Sequence, residues 1–287
     1  MTALLKRNNL LFFKNKANVF FSFLGVIIVL LLFILFLGNS FSSNFTNLPN
    51  WRELKFSWLT AGIVSMASFT TALGAFNTVV ADKEKKLNKG FYASPITRGE
   101  IMTGYILNGF VVSILMSGLL FIIMAIYLAI IGSPMGFLSY LQVFGILLIS
   151  SLMNTTVLFF VISFIKSDSV YSTITAIIGT TIGFLLGIYF PIGGGIPVAV
   201  QTIIKMFPPS HSAILLRQII MEEPIRYAFT YHGPEGLSAT RFEEIMGVII
   251  YGGDRLITPW MSIGYILIAL VIFGVLSFLR AKSMGRR

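Results

Sequence analysis

Six long apolar stretches, none containing Asp, Glu, Lys, Arg or His, limit what this 287-residue chain can fold into. They are Ala17–Gly38, Trp58–Ala81, Ile101–Ile131, Leu138–Ile165, Val170–Phe190 and Trp260–Leu279. A helix crossing about 30 Å of hydrocarbon needs about 20 apolar residues. In lipid its backbone groups must also be bonded within the segment. The third and fourth stretches exceed that length, which predicts tilt or projection beyond the bilayer. Breakers stand where spans should end: Gly132-Ser133-Pro134 after the third, Pro191 after the fifth and Pro259 before the sixth. Composition agrees, with 11% charged residues and a mean hydropathy of +0.87, against about 25% charged in soluble domains. The predicted fold class is therefore all-α: a polytopic membrane protein, one domain over 1–287, with six transmembrane helices. The first stretch is read as an uncleaved span, because no small-residue cleavage site follows it.

Basic residues orient such a chain. With the amino terminus inside, the inner segments hold 14 of the 21 Lys and Arg and 4 of the 11 Asp and Glu, a net +10. The outer segments hold seven of each sign. Both termini are expected in the cytoplasm and the protein in the cell membrane. The inner excess suits anionic lipid headgroups. It is divided among four short segments beside the membrane, which argues against a nucleic-acid partner.

Several function classes fall away. Self-powered transporters place ionisable groups inside the membrane, and these spans have none. No G-x-x-x-x-G-K-[ST] phosphate loop occurs, so energy for vectorial work must enter through a partner. No cysteine is present, and His211 and His232 have no spaced second ligand, so no metal site is expected. "EEPIR" at Glu222–Arg226 lies outside the spans and is broken by Pro224, which removes an intramembrane protease reading. The N-x-[ST] matches at Asn44 and Asn154 carry little, since the second is mid-membrane. No catalytic residue is expected.

Three segments carry positive information. "LLKRNNLLFFKNKANVFF" mixes leucine and phenylalanine with Lys6, Arg7, Lys14 and Lys16, as an interfacial helix does. It serves either as a topology anchor or in function. The second segment, 82–98, reads "DKEKKLNKGFYASPITR". Asp82–Lys89 extends the second span as a charged turn or two, and Gly90 relaxes it. Pro95 biases its predecessor away from helix. Thr97 and Glu100 form a capping box that starts the third span. The result is a charged, aromatic-bearing knob, with Phe91 as its anchor. The third segment follows the fifth span. Gly179, Gly183 and Gly187 repeat at small-xxx-small spacing, a face for close helix packing within the bundle or between subunits. Residues 191–221 are too short and too broken to span, and read as a re-entrant outer hairpin. An outer loop, 222–258, follows.

These features together resemble the permease subunits of type-2 ABC exporters. The likeness rests on the interfacial helix, on "SPITRGEI" leading into the third span, and on "GIYFP…IP…PPSHSAILLRQ" after the fifth. It implies that 82–98 is the coupling segment, seated in a groove of an ABC ATPase subunit. Glu84 would be the family's acidic residue there, and Pro95 and Arg98 its Pro-x-x-Arg step. "KLNKGFYASP" departs from the usual glycine-threonine-leucine-glutamate run. The resemblance implies a dimer with a second permease, identical or homologous, and two ATPase subunits. ATP and magnesium would sit on the ATPase. This chain would bind no cofactor and would not itself be an enzyme. On the second span, Thr60, Ser68, Thr71 and Thr78 lie near one face, with Asn77 at the inner end. They would line the substrate path with parts of the first and fifth spans, or else hydrogen-bond between helices. Uncharged spans favour a hydrophobic or amphipathic substrate: a drug, a peptide antibiotic or a lipid, with drug or peptide resistance as the outcome. The alternatives are a permease for polysaccharide or cell-wall polymer and a non-transport immunity or sensor protein.

Overall fold

The computed structural model describes residues 2–33, 35, 48, 50–87, 90–91, 95–193, 195–231 and 237–283. Helix α1 (Thr2–Lys14) and α2 (Lys16–Leu32) meet at 74°. Asn15 makes the corner: its side chain accepts the Asn18 N–H at 3.1 Å and caps α2. Helix α1 buries Leu4, Asn8 and Phe12 and exposes Leu10, Leu11 and Phe13. Helix α3 (Trp51–Ala75) runs through a tight turn at Phe76 into α4 (Asn77–Glu84). Then come α5 (Arg98–Ile130), α6 (Phe137–Ile162), α7 (Asp168–Leu185), α8 (Val198–Met206), α9 (Pro208–Ile220), α10 (Glu222–Tyr231) and α11 (Ala239–Met246). A ribbon, β1 (Tyr251–Gly252) with β2 (Arg255–Leu256), pairs Tyr251 with Leu256 and Gly252 with Arg255, so the chain is not purely helical. Helix α12 (Pro259–Ser283) follows, with Pro259 at its start. The far end of the first expected span, residues 36–38, lies outside the described residues, as do Asn44, Lys89 and His232.

Helix α3 is the centre of the bundle and packs on α2, α5, α6 and α9. Its small residues make this possible. Ala61, Ala67, Ser68, Ala72 and Ala75 are fully buried, and small side chains let helix backbones approach closely. At Gly74 a Cβ would come within 2.7 Å of the Ser22 Cβ on α2. The helix begins at Trp51 rather than at Trp58, because the outer loop packs on that extra length. Asn50 donates to the Pro224 carbonyl and the Trp58 indole N–H to that of Met246, each at 2.8 Å. The third span starts as expected: Thr97 accepts from the Glu100 N–H, and Glu100 accepts from the Thr97 N–H.

Among the described residues, four helices are long and apolar enough to cross a membrane, or five if the bent α1–α2 pair is one span. The fifth expected span is the exception. Helix α7 has 18 residues and a face of serine and threonine. It ends at Leu185, before Pro191. Gly187 turns left-handed at φ +61° and the Ile188 N–H bonds back to the Gly183 carbonyl at 2.8 Å, a glycine helix stop.

Candidate functional site

The charged segment after α4 is not a solvated loop. Asp82 is buried, its side chain only 4% exposed, and it accepts both arms of Arg7 at 2.7 Å. The Tyr105 hydroxyl on α5 donates to the same carboxylate at 2.7 Å. A carboxylate leaving water needs such partners, and the bidentate arginine is the strongest available. The bond from Asp82 holds the Arg7 guanidinium above its ordinary pKa, against the opposing effect of burial. Arg7 also lies over the Phe91 ring, 5.5 Å from its centroid. One cation thus joins α1, the end of α4 and the aromatic of the knob.

Lys83, the next residue, points the other way. Its ammonium donates to the carbonyls of Ile162, Ser163 and Ile165 at 3.0, 3.0 and 3.1 Å. These carbonyls cluster at the carboxyl end of α6, where a cation also meets the helix dipole favourably. Arg98 reaches the Lys282 carbonyl of α12 at 3.5 Å. Residues 82–98 therefore touch α1, α5, α6 and α12 at one end of the bundle. Glu84 and Pro95 are exposed there, and Phe91 is partly buried. The positive-φ turn at Lys86 (φ +58°) sends the chain out of α4 toward them. Arg7, Lys83 and Tyr105 answer to no sequence pattern. Their partners lie 75, 79–82 and 23 residues away. Asp82 offers the only local signal, a carboxylate abutting an uncharged stretch.

The polar stripe on the second span lies inside the chain. Ser68 is the hub of a buried knot. Its Oγ is 3.0 Å from those of Ser113 and Ser151, and it accepts from the Asn154 amide at 3.1 Å. Thr60, Thr71 and Thr78 donate to the carbonyls of Phe56, Ala67 and Ala75. Asn77, half-buried, reaches Asn18 of α2 at 3.3 Å. The three glycines do not form one stripe either. Gly179 has open space beside it, a Cβ at Gly183 would run into the Tyr189 ring, and Gly187 lies past the helix. The open polar face is on α7, where Ser169, Ser172, Thr173, Thr180 and Thr181 are exposed.

At the other end of the bundle, two short helices, α8 and α9, meet at Phe207. Helix α9 is buried against α3, α6 and α12. His211 bonds Ser262 and the Lys205 carbonyl at 3.1 and 2.9 Å. Arg217, one of the seven basic residues counted outside, is wholly buried. It donates to the Leu186 and Gly187 carbonyls at 2.9 and 2.7 Å and stacks 5.2 Å from the Trp58 ring centroid.

The helices thus form an apolar bundle with a charged segment packed across one end. Residues 53–279 match the family described as ABC-2 family transporter protein. The chain belongs to that family. No curated protein matches it. As an ABC-2 chain it is a multi-pass membrane permease of an ABC transporter, the transport component and generally not the catalytic one, and the family implies an ABC ATPase partner. The ABC-2 match takes in Asp82, Lys83, Tyr105 and Arg217 and leaves Arg7, on α1, outside it.

Proposed function

We propose that this chain is the membrane half of an ATP-driven exporter for a hydrophobic or amphipathic substrate. It crosses the membrane six times, through α2, α3–α4, α5, α6, α7 and α12. Helix α1 lies in the cytoplasmic interface, α8–α9 is the re-entrant outer hairpin, and both termini are cytoplasmic. Residues 82–98, with Glu84, Phe91, Pro95 and Arg98, seat in the ATPase partner, which carries ATP and magnesium. Movement of that segment passes to α1 and α5 through Asp82 and to α6 through Lys83.

The observation that carries the path is the outward face of α7. On α12 the exposed residues Leu267, Ile268, Val271, Ile272 and Val275 are all aliphatic, as lipid requires. On α7 the exposed face holds Ser169, Ser172, Thr173, Thr180 and Thr181, interleaved with Val170, Ile177 and Phe184. Thr173 and Thr180 bond their own helix, at the Ser169 and Ala176 carbonyls, so they tolerate an apolar setting. Such a face suits a second permease and a shared path better than acyl chains. On this reading the path runs beside α7 and α2, with Asn77 at its inner end.

The chain has no cysteine, so single cysteines report cleanly. Thr180→Cys should react with a water-soluble thiol reagent or cross-link to a second copy, while Ile268→Cys should do neither. Equal inertness of both would place α7 against lipid and remove the path from this face.

A further inference from the structure

The turn that Lys83 holds from inside the bundle also floors a groove on its outer surface. Between the end of α6 and the start of α7 lies a cleft of about 580 Å³, walled by Phe160, Val161, Phe164, Val170 and Ile174 with Lys166 at its rim. Phe164 and Val170 are about half exposed, at 51% and 49%. Lys166 is exposed and makes no ion pair among the described residues. Arg280 of α12 stands over Phe164, 4.4 Å from its ring centroid, and adds a second cation beside the groove. Asp168, exposed in the first turn of α7, is the one acid nearby in the chain.

An apolar groove on a membrane-spanning bundle must be covered. The second permease proposed above lies along the serine and threonine face of α7, whereas this groove opens between α6 and α7 on apolar walls with a basic rim. A lipid with a neutral headgroup would fill the groove and leave Lys166 unanswered. We propose that the groove holds one anionic phospholipid. One acyl chain lies along Phe160, Val161, Phe164, Val170 and Ile174, and the phosphate meets Lys166, with Arg280 behind. The lipid would touch the outer side of the turn from Phe164 to Lys166, whose Ile165 carbonyl Lys83 holds from within. It would therefore brace the end of α6 opposite the coupling segment.

The site can be tested in phosphatidylcholine vesicles containing a phosphatidylglycerol that carries a photoreactive group on its acyl chain. Adducts should concentrate on the peptides holding Phe160, Phe164, Val170 and Ile174. Lys166→Gln should lower the phosphatidylglycerol adduct about fivefold, the effect of one basic residue at a membrane surface. It should leave unchanged the adduct of a matched photoreactive phosphatidylcholine. Val170→Trp, which fills the groove, should lower both. The proposal is overturned if adducts spread evenly over the outward faces of α5 and α12. It is also overturned if Lys166→Gln affects both probes alike or neither, or if a photoreactive residue at position 164 captures a second copy of the chain. No ATP enters the measurement, so failure here leaves the transport reading untouched.

Discussion

At one end of the bundle Lys83 donates to the carbonyls of Ile162, Ser163 and Ile165; at the other Arg217 donates to those of Leu186 and Gly187. Both cations satisfy the carboxyl end of a helix, α6 in one case and α7 in the other. Their chemistry differs. The lysine is a compact charge with three donors for three carbonyls, at the root of an exposed segment. The arginine is a plane that also stacks on Trp58 and has no exposed surface. Trp58 is in turn bonded to the end of α11. The arginine end is therefore a buried joint among α3, α7, α9 and the outer loop. The lysine end ties the bundle to the exposed segment proposed to seat in the ATPase.

That contrast can be broken at either end. The largest expected effect is at Arg217. Arg217→Ala removes two charge-assisted bonds and a stacked side chain, and should cost about 3 kcal/mol or more. Thermal unfolding in detergent reads this directly. Arg217→Lys should recover less than half of the loss, since an ammonium cannot both bridge and stack. Full recovery would show that charge alone matters there. Next come the glycines of α7. Gly183→Leu must expel Tyr189 and should cost about 1–3 kcal/mol. Gly179→Leu has open space and should leave the melting point within about 0.5 kcal/mol of wild type. If it weakens association of two copies, α7 faces its twin.

Smaller effects belong to the lysine end. Lys83→Met loses three bonds but also a half-buried charge, so the net cost should be about 1–2 kcal/mol. A cost matching that of Arg217→Ala would erase the distinction between the two joints. The smallest change in stability is at Glu84, which is exposed. Glu84→Lys should melt within about 0.5 kcal/mol of wild type. It should nevertheless lose the ATPase subunit in a pull-down, because like charges at a docked contact cost several kcal/mol.

Much of this architecture is legible in the sequence, for physical reasons that can be named. Apolar length marks α3, α5, α6 and α12, because spanning lipid is a local demand. The Thr97–Glu100 capping box is legible because its partners are three residues apart. Helix α7 stops early because Gly187 and its backbone bonds end it before Pro191 can, and a glycine at that spacing reads equally as a packing residue. Arg217 and Asp82 look like loop charges because burial depends on partners distant in the chain. Ser68 looks like a path residue for the same reason, since Ser113, Ser151 and Asn154 lie 45–86 residues from it.

We propose that movement of the coupling segment enters the bundle through Asp82. Spin labels on cysteines at the exposed Lys85 and at Thr180, with a third on the ATPase, test it in the assembled transporter. On adding ATP the label at 85 should follow the ATPase when Asp82 is intact, and the distance from 85 to 180 should change. Asp82→Asn weakens the hold on Arg7 and Tyr105 without replacing a residue of the exposed knob. In that variant the label at 85 should still follow the ATPase while the one at 180 stays still. An unchanged response at 180 in Asp82→Asn would contradict this route and send the motion by another.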